Sequence, residues 1–303
     1  MRSVLVGAVD STQVALRAMG RAGAPPALLV TLPPERRTRH SDYLDLAPHA
    51  AALATEVCHA ADVNAEATLA RIEAAAPDYL FVIGWSQICR APLLGVARLG
   101  AIGFHPAALP RMRGRAVIPW TILEREPRTG STLFWLDQGV DTGPILAQRL
   151  FGVVPDETAG SLYRKHMQAL DGLLPEALDL LRSFDPPRIR QDESLATWCA
   201  RRMPEDGLID WRAPAEEILL LIRAVGPPYP GAFTSCRGRR LTILAAEPFL
   251  DSRRYVGLPG QIQLVRDDRL VIRCGDGLCI TATDWRHEGE APPKLHTRLG
   301  TCT

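Results

Sequence analysis

The chain has 303 residues, 47% of them hydrophobic and 23% charged, with a formal net charge of +1. That length and apolar content suit two domains of ordinary size and a sizeable core. The near-neutral balance gives no bulk attraction to nucleic acid or to a membrane surface. No apolar run approaches the ~20 residues that a bilayer-spanning helix needs, and Ser3-Val4-Leu5-Val6-Gly7 reads as a strand, not a cleavable leader. The expectation is a cytoplasmic protein without a membrane partner. Seven scattered cysteines include no Cys-x-x-Cys pair, so neither a disulfide framework nor zinc is suggested. Cys274 and Cys279 bracket a Gly-Asp-Gly turn and read as hairpin residues. His40, His49, His59, His166, His287 and His296 show no paired ligand spacing, and no metal is expected.

Val4 to Val9 is a β-branched apolar run. A helix follows from about Thr12 to Ala22, then a second strand from Ala27 to Thr31. This strand–helix–strand rhythm predicts a parallel α/β sheet, and Gly7 lacks the GxGxxG context of a dinucleotide site. From Leu32 to Pro48 the chain is polar. It reads either as a solvated loop or as a substrate-side loop, in which Arg36, Arg37 and Arg39 would meet phosphate and Tyr43 would stack on a base or sugar. A helix from Asn64 to Ala76 precedes a buried strand, Tyr79 to Ile83, and a loop Gly84-Trp85-Ser86-Gln87-Ile88.

The stretch from Gly100 to Ala147 organises the chain. A strand from Ala101 to Phe104 ends in His105-Pro106, and proline cannot continue a ladder, which leaves His105 at the mouth of the sheet. The loop Arg111-Met112-Arg113-Gly114-Arg115 leads to a helix near Val117. A strand from Ser131 to Leu136 then enters the turn Asp137-Gln138-Gly139-Val140-Asp141-Thr142-Gly143. If those elements are neighbours, His105 and Asp141 form an acid–base pair. After a strand from Ile145 to Val153, an amphipathic helix to about Arg182 presents Leu162, Met167, Leu170, Leu173, Leu174, Leu178 and Leu181 on one side. Ser183 to Arg202 reads as a linker holding one short strand. Beyond it, a helix from Ala213 to Val225 and strands at Leu241–Ala245, Gly260–Val265, Leu270–Cys274 and Leu278–Thr283 predict a small β-barrel.

The runs HPAALPRMRGRAVIPW and TGSTLFWLDQGVDTGPILAQ resemble the signature of the 10-formyltetrahydrofolate-dependent formyltransferases. The separation of His105 and Asp141, 36 residues, is the spacing of that family. PEDGLIDW, LIRAVGPPYPGAF and CGDGL resemble its C-terminal domain, so the likeness spans nearly the whole chain. It implies a doubly wound, mainly parallel Rossmann-like sheet over residues 1–200 and a smaller OB-like β-barrel over 201–303. It also implies 10-formyltetrahydrofolate as co-substrate and a primary amine as acceptor. The Arg-Gly-Arg-Ala form of the loop resembles the amino-sugar enzymes, which implies a small nucleotide-linked amino sugar and makes nucleic acid an unexpected partner. The rival acceptor is methionyl-tRNA, and the rival without catalysis is a folate- or nucleotide-binding protein; a homodimer is compatible with all three.

The candidate site residues, taken from the residue patterns and the resemblance together, are His105 and Asp141 as the catalytic pair. Gly84, Trp85, Ser86, Ile88, Gly139, Val140 and Arg115 stand on the folate side, and Arg113, Gly114, Pro106 and Tyr43 on the acceptor side. Trp85 would wall the pterin, or it would simply pack the following helix. One departure stands out. Where the family has an asparagine, two residues before the histidine, this chain has Gly103. The asparagine's oxyanion donor is absent, and removing one such donor costs about 3 kcal/mol unless it is replaced. Three outcomes are open: protonated His105 acts alone, Gln87 substitutes, or transfer is lost.

Overall fold

The computed structural model describes residues 1–39 and 43–300, and the side chains of all of these except 37–39. The chain packs as two units. The first comprises Met1–Val117, Arg128–Gly152 and Tyr163–Ala200; the second comprises Ile118–Pro127, Val153–Leu162 and the chain from Arg201 onward.

In the first unit, β1 (Ser3–Val6) leads through α1 (Asp10–Arg21) to β2 (Leu28–Thr31). A 3-10 turn, Pro34–Arg39, and α2 (Ala47–Ala51) precede β3 (Glu56–His59). Then follow α3 (Glu66–Ala74), β4 (Tyr79–Val82), α4 (Ala91–Leu94) and β5 (Gly100–His105). A two-residue β6 (Arg113–Gly114), β7 (Arg128–Trp135), β8 (Ile145–Gly152), α6 (Ala159–Leu181), which belongs to this unit from Tyr163, and the short β9 (Trp198–Cys199) complete the series, while α5 (Val117–Leu123) falls in the second unit from Ile118. The main sheet runs β3-β2-β1-β4-β5-β7-β8, parallel from β3 to β5 and antiparallel through β7 and β8.

β1, β2 and β4 are buried at every position, as central strands covered on both faces must be. One face packs Leu5, Phe81, Leu133 and Trp135 against Leu16 and Met19 of α1 and Leu170, Leu174 and Leu178 of α6. The other packs Val4, Val6, Val30 and Leu80 against Ile72 of α3 and Leu93 of α4. The expected doubly wound sheet is therefore present. β3 is a short edge strand whose residues are half-buried or exposed.

The second unit holds α7 (Ala215–Val225), β10 (Ala232–Cys236), β11 (Arg239–Phe249), β12 (Ile262–Arg266), β13 (Arg269–Arg273) and β14 (Cys279–His287). Its antiparallel sheet runs β10-β11-β14-β13-β12, and among the described residues β10 and β12 do not pair, so the barrel is open. β11 carries its bulges between Ile243 and Ala246, where a long strand must bend to follow such a curve. Trp211 is buried beneath this sheet and its indole N–H donates to Thr234 Oγ1 at 3.0 Å. Among the described residues no helix is long and apolar enough to cross a membrane.

Candidate active site

β1, β4 and β5 all end at one edge of the sheet. There the order reverses between β1, which continues to β2, and β4, which continues to β5. Open α/β sheets bind ligands at such a reversal, because loops leaving to opposite faces part and leave a crevice. Gly84-Trp85-Ser86-Gln87-Ile88 follows β4, and His105 is the last residue of β5. Tyr43 lies at the same edge through a bridge to Val9 just beyond β1.

His105 is 5% exposed, and its Nε2 lies 2.7 Å from the Met112 carbonyl oxygen. A carbonyl only accepts, so Nε2 carries a hydrogen. That leaves Nδ1, 3.5 Å from Asp141 Oδ2, as the face of the ring turned to the carboxylate. Asp141 Oδ2 also accepts the Gly114 main-chain N–H at 2.8 Å. The two residues expected to pair thus stand together, although β5 and the turn after β7 belong to different strands.

Arg113 has a different position from the expected one. Its side chain is 0% exposed and runs inward, where NH1 and NH2 donate to Glu193 and Nε and NH2 donate to Gln191 Oε1. The Glu193 carboxylate holds the guanidinium pKa above its ordinary value, and the guanidinium lowers that of Glu193. Arg113 therefore braces the protein's interior, whereas Arg115 is exposed. Gly114 has φ of 102°, and a Cβ there would sit 2.5 Å from the Cys199 carbonyl oxygen. Its freedom is used for contact with the linker, where β6 pairs with β9.

Gln87 likewise turns away from the role considered for it. Its Nε2 donates to the Ala61 carbonyl at 2.7 Å and its Oε1 accepts the Val63 N–H at 3.1 Å. The amide is committed at both ends to the loop after β3, so it supplies no oxyanion donor in this arrangement. Trp85 is half-buried against the Val4–Val6 face of the core, and its Nε1 is buried without a hydrogen-bond partner among the described residues. Ser86 and Ile88 are exposed, as are Gly139 and Val140 in the turn before Asp141. Pro106 and Gly84 are half-buried. Arg36 is exposed; the side chains of Arg37 and Arg39 lie outside the described residues.

The space beside Gly103 is filled. A Cβ built there would lie 2.6 Å from Leu136 Cδ2 and 3.0 Å and 3.1 Å from the Phe134 ring. Leu136 thus occupies the direction in which an asparagine side chain would leave the strand.

Two residues that sequence reasoning left aside complete the surroundings. His166 of α6 is fully buried, with Nδ1 3.0 Å from Ser131 Oγ and its ring edge-on to Phe151. Burial, with a smaller contribution from His105, pulls its pKa down to about 3, so it stays neutral. Its place four residues from both Leu162 and Leu170 was a readable signal, since that spacing sets it on the buried stripe. Gln191, in the linker, donates from Nε2 to the carbonyls of Asp141 at 2.8 Å and Gly143 at 2.7 Å. No local pattern marks it. Among the described residues no three His, Cys, Asp or Glu side chains cluster as metal ligands.

Comparison with known proteins agrees across the chain. The family model for formyl transferase matches residues 17–178, and that for the formyl transferase C-terminal domain matches residues 202–294. A methionyl-tRNA formyltransferase of Anaeromyxobacter dehalogenans (strain 2CP-C) is 35% identical over 95% of this chain and 93% of its own length. The methionyl-tRNA formyltransferase of Syntrophus aciditrophicus (strain SB) is 33% identical over 91% and 88%. Among solved structures, HypX from Aquifex aeolicus in complex with tetrahydrofolic acid superposes with a TM-score of 0.70 at 20% identity. That match covers 96% of this chain but 45% of HypX. The N-formyltransferase of Helicobacter canadensis, in complex with folinic acid and dTDP-3-aminofucose, gives 0.64 at 17% identity, covering 93% and 98%. At these identities the superpositions speak for the fold alone.

Proposed function

The chain belongs to the formyl transferase family, and from that premise we propose that it transfers the formyl group of 10-formyltetrahydrofolate to a primary amine at the His105–Asp141 edge of the sheet. The observation that carries this reading is the facing pair itself: an oriented imidazole with Nδ1 3.5 Å from a carboxylate, at the strand edge where open α/β sheets bind ligands.

Attack by the amine forms the new C–N bond and moves the carbonyl electron pair onto oxygen. The amine proton passes to the Asp141–His105 pair, in which Asp141 is the acceptor. Collapse breaks the bond from carbon to N10, and N10 leaves as tetrahydrofolate with the proton that Asp141 took from the amine, which returns the pair to its starting state. With Gly103 bare and Gln87 engaged elsewhere, His105 is the candidate left for the oxyanion, and only through its Nδ1 edge, because Nε2–H is held by the Met112 carbonyl. The folate would lie along Gly84–Ile88 and the Gly139–Val140 turn.

The acceptor favoured is the α-amino group of methionyl-tRNA. Relatives at 33% and 35% identity over more than nine-tenths of the chain bear that activity in their names, which outweighs the expectation that nucleic acid is not a partner. The amino-sugar reading, our expectation from the Arg-Gly-Arg loop, is weakened because Arg113 is internal. Arg115 still favours it as a second reading. The test offers 10-formyltetrahydrofolate with charged initiator tRNA, nucleotide-linked amino sugars and free amino acids, and follows release of tetrahydrofolate. Release with tRNA, and tRNA binding that falls steeply with salt, are expected. Release with a sugar nucleotide alone would reverse the order of the acceptors, and folate binding without release from any of them would overturn the enzymatic reading.

A further inference from the structure

The linker between Ser183 and Arg202 does more than connect. Ile189 forms a two-hydrogen-bond bridge with Ile145, at 2.7 Å and 2.9 Å. Thr197 Oγ1 accepts the Met112 N–H, the Thr197 carbonyl accepts that of Arg113, and the Cys199 carbonyl accepts that of Arg115. Between these anchors the linker delivers Gln191, 4% exposed, against the turn that carries Asp141.

We propose that Gln191 is a positioning residue of the active site: its amide clasps the main chain at both ends of the Asp141-Thr142-Gly143 turn and fixes where the Asp141 carboxylate stands relative to His105. The inference deepens the formyl-transfer reading and rests on its assignment of His105 and Asp141 as the reacting pair.

The orientation of this amide is settled by its partners. Oε1 faces Arg113 Nε and NH2 at 3.2 Å and 2.8 Å, and all the polar hydrogens of a guanidinium are donors. Nε2 faces two carbonyl oxygens, which only accept. A flipped amide would set donors against donors and oxygen against oxygen at all four contacts. Arg113 is itself locked by Glu193, by its main-chain bond to Thr197 and by the Trp198 ring 5.6 Å away, so it orients Gln191 rather than the reverse.

The clasp acts on a backbone that would not hold this shape unaided. Asp141 has φ of 56°, a region L-residues adopt at a cost. With its carbonyl and that of Gly143 tied to one amide, the turn is closed from below. From the other side the carboxylate meets the Gly114 N–H, one residue from Arg113. Both ends of Asp141 are therefore set by a single assembly of linker, Arg113 and Gln191. In catalysis, displacement of a reacting group by about 1 Å costs up to about a hundredfold.

The test compares Gln191→Met, which removes both polar ends, with Gln191→Glu, which keeps an acceptor for Arg113 but has no N–H for the turn. Three readouts are used: kcat and KM of tetrahydrofolate release, thermal stability, and spectra of 15N-histidine-labelled protein with His105 assigned by its loss in His105→Gln. Both variants are expected to lose kcat by about 10- to 100-fold and to shift the His105 Nδ1 resonance. If Gln191→Glu keeps wild-type kcat and an unmoved Nδ1 resonance while Gln191→Met falls, the residue only shelters Arg113 and the proposal is overturned. Lowered stability with unchanged kcat in both variants overturns it equally. Wild-type protein inactive on every acceptor, with Nδ1 displaced in both variants, would uphold the clasp and refute the formyl-transfer reading instead.

Discussion

Restoring the family's asparagine by Gly103→Asn should harm this protein unless Leu136 is changed with it. The added Cβ would approach Leu136 Cδ2 to 2.6 Å and the Phe134 ring to 3.0 Å, inside the contact distance of carbon atoms. Gly103 is buried in β5 between paired strands, so the backbone cannot yield and Leu136 must rotate away. Forcing atoms into a filled site costs about 1–3 kcal/mol. For a unit of this size that corresponds to a fall in Tm of about 2–12 °C. In Gly103→Asn/Leu136→Ala the obstructing methyl groups are gone, so the two changes should couple favourably by at least about 1 kcal/mol. The assay is a double-mutant cycle by denaturant unfolding, run in parallel with tetrahydrofolate release. If the asparagine amide then reaches the oxyanion, the double variant should exceed Leu136→Ala in kcat by up to about a hundredfold. A Gly103→Asn protein as stable as wild type, with strictly additive effects, would refute the claim that Leu136 fills this space.

Four further outcomes are expected. His105→Ala and Asp141→Asn should each reduce turnover by about a hundredfold or more while the protein stays folded, checked by single-turnover kinetics and circular dichroism. Arg113→Met should destabilise by about 1–3 kcal/mol, read by urea unfolding, because Gln191 Oε1 loses its buried donors. As for His166, its pKa is about 3 when folded and near 6.5 when unfolded, so the unfolded chain takes up the proton first as pH falls. The stability that goes with neutral His166 is complete above about pH 6.5 and is lost toward pH 3 at about 1.4 kcal/mol per pH unit; His166→Gln should flatten that slope in urea titrations between pH 4 and 6.5. Finally, Cys274 is buried with its thiol pushed up to about 12, so it should resist maleimide labelling at neutral pH until the chain is unfolded.

The doubly wound sheet was legible because its central strands β1, β2 and β4 are short, largely apolar runs separated by helices. β3 escaped notice: Glu56-Val57-Cys58-His59 is an edge strand of mixed polarity, and its pairing with β2 is its main definition. At the site, His105 and Asp141 could be picked out from motif and spacing, and Gly103 announced itself as a departure. The direction of Arg113 could not be read, since an arginine in a Pro- and Gly-rich loop looks solvated. Its inward turn follows from pairing of β6 with β9, across 85 residues of sequence. Gln87 misled for the same reason, because its partners Ala61 and Val63 lie in a loop of no distinct pattern. Gln191 is the extreme case. A polar residue in a stretch that reads as spacer acquires its meaning only when the chain doubles back over the turn it holds.

The bridging of Met112–Arg115 by Thr197 and Cys199 also sets an order of events during synthesis. Gln191 leaves the ribosome 50 residues after Asp141, about 3–10 s later at ordinary elongation rates. By the end of that interval the strands of the main sheet are outside together with His105 and Asp141, and the linker that clasps their turn is only then emerging. A nascent chain released in that window would carry His105 and Asp141 without the Gln191 clasp on their turn. The clasp on the Asp141 turn therefore waits for a segment that contributes no strand to the main sheet.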